Sequence, residues 1–304
     1  MSIYKEKYEE RLNNWLLVKK EYIKEQSYIK YYTVIKKNII PILGKYRINK
    51  ITRDVLDTYF QSNEFNNLSL SIQNTIYFII KSSINSKKIV FEKYNIKKPK
   101  CRINYLTNKE EKILIDYIIN NMNINNLGIL ICLYTGIRIG EICSLKWKDI
   151  DFINNTISIK RTSQRIRNIN SNTSKKTKII VTTPKSISSI RTIPVGTSIL
   201  NYLKEYYIDK DCYILTSSNK PKDTRVYEKY FERVLIKCNL KKINFHSLRH
   251  TFATRCIESG IDVKSLSEIL GHSNYSVTLN IYVHSSIDQK RRSIDKIIEY
   301  VNDI

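Results

Sequence analysis

Glycine and proline are scarce, 7 and 5 residues in a chain of 304. That scarcity argues against loop-rich, collagen-like or low-complexity architecture. The six cysteines, at positions 101, 132, 143, 212, 238 and 256, form no Cys-x-x-Cys pair. Such scatter is poor metal-site spacing and fits isolated reduced thiols. No uninterrupted run approaches the ~20 apolar residues that span a bilayer. The start, Met-Ser-Ile-Tyr-Lys-Glu-Lys, has no apolar signal core. A cytoplasmic protein without membrane association is expected. Acidic residues are also few, 28 against 52 Lys+Arg, giving a net charge of +24. A field of that sign attracts polyanions, and nucleic acid is the first partner it suggests. An AT-rich codon bias, which favours Lys, Asn, Ile and Tyr, is the plainer source of the same composition. The apolar fraction of 42% excludes disorder of the whole chain.

What is present falls into two parts. Residues 1–97 read as helices throughout. The first covers Tyr4–Lys24, with Tyr8, Leu12, Trp15, Leu16 and Val18 near helical spacing. The second starts at Ser27, a plausible N-cap, and runs to Pro41. Thr52 caps Arg53–Ser62, and Ser69 or Ser71 opens a long helix through Ile84. A small helical domain with a basic face is the product. Residues 98–104, with Lys98, Lys100 and Arg102 around Pro99, read as a basic linker.

The second part, 105–304, opens on a capping box, Thr107-Asn-Lys-Glu110. A β-rich stretch interrupts its helices. Thr156–Lys160 alternates as a strand, and Ile179–Thr182 with Ile190–Val195 suggests a hairpin around Pro184–Ser189. Polar Ser163–Lys178 reads as an exposed hairpin or loop extension. Helices follow over Ser198–Tyr207, Thr224–Cys238, His246–Ser259, Val263–Leu270 and Ser276–His284, then a tail helix 288–302. Gly260 and Gly271 sit where C-terminal caps belong. The fold class is therefore mainly α with a small antiparallel sheet.

All four histidines lie in the last third. Three fall in His246-Ser-Leu-Arg249-His250 and Leu270-Gly-His272. On a helix, positions 246, 249 and 250 share one face, which presents an imidazole and a guanidinium together. A zinc site of the His-Glu-x-x-His type needs a Glu where Ser247 stands. A second cluster runs from Thr135-Gly-Ile-Arg138 to Glu141, where Arg138 and Glu141 lie one turn apart; alone it reads equally as a surface ion pair. A third is Pro184-Lys185-Ser186 leading to Arg191-Thr-Ile-Pro194. A fourth is Thr278-Leu-Asn-Ile-Tyr282-Val-His284, and among 22 tyrosines Tyr282 alone says little.

In their order and spacing, the strings TGIRIGEICSLKWKDID, PKSISSIRTIPV, HSLRHTFATRCIESGIDVKSLSEILGHS and TLNIYVH resemble the tyrosine recombinase (phage integrase) family. The likeness is greatest to integrases of phages and conjugative transposons. It covers the second part and extends more weakly over the first, where Leu43-Gly44 through Ile51-Thr52 looks like the family's core-binding domain. The resemblance implies a helical core-binding domain joined to a tyrosine-recombinase catalytic domain. It implies site-specific recombination through a 3′-phosphotyrosyl intermediate, with integration or excision of a mobile element. Tyr282 would be the nucleophile. Arg138 and Arg249 would clamp the phosphate oxygens, and Lys185 would protonate the leaving 5′-oxygen. His246 and His272 would donate to the phosphate or move the tyrosine proton. Glu141 would orient Arg138, and His250 would buttress the site.

No cofactor and no metal are implied, since fixed cations meet the developing charge. The implied partners are double-stranded DNA at specific recombination sites, a homotetramer on that DNA, and accessory DNA-bending or directionality proteins. The apolar stripe of the tail, from Ile287, would dock between protomers. Many such integrases carry an N-terminal arm-binding domain, whereas this chain begins at the core-binding helices, a layout shared with chromosome-dimer resolvases. Such a resolvase, a type IB topoisomerase and a catalytically inactive DNA-binding relative are the alternatives.

The charge makes a prediction of its own. Affinity for duplex DNA should fall about 10³–10⁵-fold between 50 and 200 mM salt, the loss associated with neutralising about six to ten phosphates. Filter binding across that range checks it, and a salt-independent affinity would contradict it.

Overall fold

The structure, a computed structural model, describes residues 6–84, 104–169, 176–184 and 186–275. The tail helix, His284, Lys185, Tyr282 and most of the basic linker lie outside the described residues. The chain divides into two compact units: Met1–Cys101 with Ile166–Lys176, and Arg102–Arg165 with Thr177–Ile304.

The first unit is a helical cluster. Lys7 is extended and bridges Arg47, so α1 begins only at Tyr8 and runs to Tyr22. Tyr8 is fully buried and shares a 2.8 Å hydrogen bond with Ser83. The second helix departs from the sequence expectation. The backbone of Lys24 is extended and precedes α2, Glu25–Val34, so Ser27 falls inside the first turn and is not its cap. The helical path then widens into a π turn over Ile35–Ile39 before α3, Ile40–Leu43. Pro41 is the cause: it offers no amide and its ring crowds the carbonyl four residues back. The nearby Asn38 carbonyl accepts from the buried Tyr59 hydroxyl at 2.9 Å. Thr52 caps α4, Arg53–Gln61, and Ser62 caps α5, Asn63–Asn66. Helix α6, Leu70–Ile84, closes the core with Ile76, Ile79 and Ile80.

The second unit is built around α8, Ile124–Thr135, whose residues Asn126–Leu133 are all buried. A helix apolar on every side must be enclosed on every side. It is preceded by α7, Asn108–Asn120, which starts on the Thr107–Glu110 capping box. The short α9, Ile139–Ile142, follows. Then come strands β1 (Ile150–Asp151), β2 (Thr156–Ile159), β3 (Thr162–Arg167), β4 (Thr177–Thr182) and β5 (Arg191–Pro194). Helices α10 (Thr197–Glu205), α11 (Thr224–Lys237), α12 (His246–Glu258) and α13 (Val263–Leu270) complete it. Thr251 on α12 accepts from the Leu106 amide at 2.9 Å, and Arg255 donates to the Leu106 carbonyl at 2.8 Å. The start of the unit is thereby tied to the helix that carries its chemistry.

The expected hairpin between Ile179–Thr182 and Ile190–Val195 does not form. Strand β5 pairs antiparallel with β2, Ile157 opposite Ile193, in a sheet of order β1-β2-β5, while β4 pairs with β3. Burial explains the choice. Ile157, Ile159 and Ile193 alternate onto the core, whereas β4 has no buried residue and cannot share that face. The β3–β4 pair is the polar extension expected over Ser163–Lys178.

Gly128 lets α8 approach its neighbours. A Cβ there would lie 2.4 Å from the Tyr227 hydroxyl and 2.5 Å from Leu215. The Tyr227 hydroxyl is held by the Asn125 carbonyl at 2.7 Å and cannot swing aside freely. Gly128→Ala should therefore destabilise the fold by about 1–3 kcal/mol, the usual overpacking cost. Urea unfolding checks this, and an unchanged midpoint would contradict it.

Candidate active site

The site is assembled where two helices end on left-handed glycines. Gly136 closes α8 at φ +63°, and Gly271 closes α13 at φ +65°. A side chain at either position would be strained, and each is also crowded: a Cβ on Gly136 meets Phe252 at 2.5 Å, and one on Gly271 meets Arg191 at 2.9 Å. The turns point carbonyls inward. Arg249, on α12 and 3% exposed, donates to the Gly136 carbonyl at 2.9 Å and the Leu270 carbonyl at 2.7 Å. Arg138, extended at the N-cap of α9, donates to the Gly271 carbonyl at 3.2 Å.

Glu141 sits between. Its carboxylate accepts from the Arg138 amide at 2.9 Å and the Arg138 guanidinium at 2.8 Å. Arg191 on β5 adds a bidentate pair, 3.2 and 3.0 Å. With 2% exposure, Glu141 is no member of a surface ion pair. Burial pushes its pKa up, but the guanidiniums of Arg191 and Arg138 outweigh this and hold the carboxyl below its ordinary value. Arg249 has no carboxylate of its own in hydrogen-bond reach among the described residues. Burial, then the Arg138 charge beside it, press its pKa down to about 8, so it remains a cation at neutral pH.

The histidines border this cluster. His246 opens to solvent at the start of α12, its ring edge-on to His250 with centroids 4.8 Å apart. His272 is half-buried just past Gly271. Partial burial, His250 and the two arginines hold His246 down to about 4; partial burial, Arg249 and Arg138 do the same for His272. Burial and Arg249 also lower His250. The structure thus brings together Arg138, Glu141, Arg249, His246, His250 and His272. Lys185 and Tyr282 lie outside the described residues. Arg191 is the residue that sequence reasoning passed over; it stood in the PKSISSIRTIPV string, and its i, i+2 spacing from Ile193, which puts both on the inward face of β5, was the one signal that could have found it. Among the described residues, no group of three His, Cys, Asp or Glu side chains is placed to hold a metal ion.

A helical unit and a mainly helical unit with a small sheet, the latter carrying an arginine-rich centre, have the fold of tyrosine recombinases. The structure matches the Tn1549 transposon integrase in complex with a circular intermediate DNA, with a TM-score of 0.75 at 21% identity, over 96% of this chain and 99% of that one. It matches a lambda integrase tetramer bound to a Holliday junction with a TM-score of 0.63 at 19% identity, over 91% and 77%. The chain belongs to the phage integrase family, which matches residues 104–289, and the N-terminal SAM-like domain of phage integrases matches residues 7–63.

It is similar to a XerC-like tyrosine recombinase of Caldanaerobacter subterraneus, 32% identical over 55% of this chain. The ICEBs1 integrase of Bacillus subtilis is 23% identical over 92% of this chain and 78% of its own length. The transposase from transposon Tn916 of Enterococcus faecalis is 29% identical over 56% of this chain and 44% of its own. The match spans 47% of the length of the XerC-like relative. The likeness is to integrases of conjugative transposons.

The lowered histidines fix a pH dependence. Each imidazole binds its proton less readily in the folded chain than in the unfolded one. Between the unfolded value of 6.5 and the folded value of about 4, the unfolded chain holds more protons, so stability falls as pH falls through that window. Urea unfolding at about pH 7 and about pH 5 should show a smaller loss for the His246→Asn/His272→Asn variant than for the parent. Equal losses would contradict the assignment.

Proposed function

We propose that this chain is a site-specific DNA recombinase that cuts and rejoins strands through a 3′-phosphotyrosyl intermediate, in the integration or excision of a mobile element. One observation carries the reading: two guanidiniums, Arg138 and Arg191, bond a single buried carboxylate, Glu141, and a third, Arg249, lies beside them held only by backbone carbonyls among the described residues. Among the described residues the centre keeps more positive than negative charge, and no carboxylate there bonds Arg249. Such a centre suits an anion with several oxygens, and a phosphodiester supplies one.

The chemistry follows from charge. The Tyr282 hydroxyl passes its proton to a neutral imidazole of the site, His246 or His272, and attacks the scissile phosphorus. The phosphorus–O5′ bond breaks, the 5′-oxygen takes a proton from Lys185, and the strand remains joined to the protein by a 3′-phosphotyrosine. Attack by a 5′-hydroxyl reverses the step, so the bond is restored without a nucleotide cofactor. Arg138 and Arg249 stabilise the negative charge that grows on the nonbridging oxygens. His246 and His272, held neutral by partial burial and by their cationic neighbours, gain proton affinity as the phosphate arrives and are then able to donate to it.

The alignment with the ICEBs1 integrase over 92% of this chain supports a mobile-element substrate. The XerC-like relative fits resolution of chromosome dimers by the same chemistry. The matching structures include a complex with circular intermediate DNA and a tetramer on a Holliday junction, which supports double-stranded DNA as partner and assembly of four protomers upon it.

A nicked duplex carrying the junction sequence that flanks the encoding element should trap a covalent protein–DNA adduct. Tyr282→Phe should abolish the adduct while leaving DNA binding nearly intact. Arg249→Ala should slow its formation about 10²–10³-fold. Excess EDTA should not prevent it, because the arginines supply the positive charge. Peptide mapping of the adduct to Tyr275, or an absolute metal requirement for the trapped adduct, would overturn the assignment.

A further inference from the structure

We propose that Arg191 is a positioning residue for strand cleavage, fixing Arg138 through the shared carboxylate of Glu141. The inference rests on the recombinase reading above and adds to it a residue that never touches DNA.

The hydrogen-bond geometry separates Arg191 from Arg138. Arg191 is nearly buried, its side chain 6% exposed, while that of Arg138 is 33% exposed. Arg191 spends its donors on the protein: Nη1 and Nη2 grip both oxygens of Glu141, Nη1 also reaches the Ser189 carbonyl at 3.1 Å, and Nε donates to the Ile269 carbonyl. Arg138 bonds Glu141 through Nη1 and the Gly271 carbonyl through Nη2, and a third of its side chain stays exposed. Glu141 and Arg138 lie three residues apart on one turn. As a local pair they share that turn's freedom and pivot with it. Arg191 is the donor to Glu141 that comes from another strand, and its planar fork fixes the plane of the carboxylate. The remaining acceptor directions of the same two oxygens then dictate where the Arg138 amide and guanidinium sit.

The same guanidinium ties β5 to the end of α13, two residues before Gly271, whose carbonyl holds Arg138 from its other side. Arg191 therefore acts on both anchors of Arg138. A lysine cannot reproduce this, because a point charge on a flexible stem cannot grip two oxygens in a plane.

The charged groups around Glu141 make the idea testable by pH. They are Arg138 on its own turn, Arg191 on β5, Arg249 and His246 on α12, and the buried thiol of Cys132 on α8. Arg191 is the strongest influence holding the carboxylate ionised against its burial. In Arg191→Gln that influence goes, burial prevails, and Glu141 becomes protonated at a higher pH. Below that pH the neutral acid holds Arg138 weakly; above it the grip returns.

The experiment measures adduct formation by the full chain on the nicked junction duplex, with DNA affinity measured alongside. Arg191→Gln should cleave about 10²-fold more slowly at low pH, the scale of a misplaced catalytic group. The parent-to-variant rate ratio should narrow as pH rises from about 5.5 to about 8.5, because Glu141 regains its charge. Arg191→Lys should also cleave more slowly, by about tenfold or more, with a ratio that does not change with pH. Adding Glu141→Gln to Arg191→Gln should remove the pH dependence of the ratio, since the titrating group is gone. DNA affinity should stay within about threefold throughout, because none of the altered groups meets phosphate.

A merely structural Arg191 gives a constant ratio, and that result overturns the proposal. Parent-like cleavage by Arg191→Lys overturns it too, and serves as the deciding result if Arg191→Gln does not fold. Absence of any adduct with the parent protein tells instead against the recombinase reading itself.

Discussion

A carboxylate buried to 2% exposure must be surrounded by donors or it does not stay charged. In this protein Glu141 meets that constraint with four hydrogen bonds, two from its own turn and two from β5. Everything near it is arranged by the need to deliver those donors. Strand β5, placed on β2 by its buried face, brings Arg191 within reach of α9. The end of α13 must come close enough for Arg191 to bond Ile269 and for Gly271 to bond Arg138. One charge thus sets the mutual placement of four chain segments that are distant in sequence.

The left-handed glycines make the arrangement possible at the backbone level. Helices normally finish with unpaired carbonyls that are given to water or to a cap. Here the ends of α8 and α13 offer carbonyls to Arg138 and Arg249 instead. Arg249 therefore sits in the interior bonded to neutral carbonyls, while Arg138 divides its donors between the Gly271 carbonyl and Glu141. A carbonyl orients a guanidinium without cancelling its charge, which an acidic partner would do. Orientation without neutralisation is what an anion site needs from its own scaffold.

The sequence made much of this legible, for reasons that differ between residues. Arg138 and Glu141 stand three residues apart and Arg249 three from His246, so helical geometry alone links them. The capping residues Thr52 and Thr107 act locally, and each caps the helix expected of it. Arg191 carries no such local mark. Its partners Glu141 and Ile269 are 50 and 78 residues away, and only the folded β2–β5 pairing shows that it reaches them. The misread hairpin failed for a related reason: Ile179 and Ile193 look alike as strand residues, but only Ile193 has a core to enter. At Ser27 a good capping side chain lost to backbone geometry already set by the extended Lys24.

The same electrostatics that suit the centre to phosphate work against the free protein. Burial first, and then the Arg138 charge, presses Arg249 down; burial first, and then both arginines, keeps His246 and His272 neutral. These shifts record desolvation and repulsion that the fold holds in check before any ligand arrives. A phosphodiester reverses the sign of the local field, so binding restores the proton affinity that folding suppressed. Neutral histidines also limit the repulsion while the site is empty; two further cations beside Arg138 and Arg249 would raise it. The imidazoles thus suit the site better than permanent cations would: they acquire charge when the anion that needs a donor is present, and the empty fold does not carry that charge in its absence.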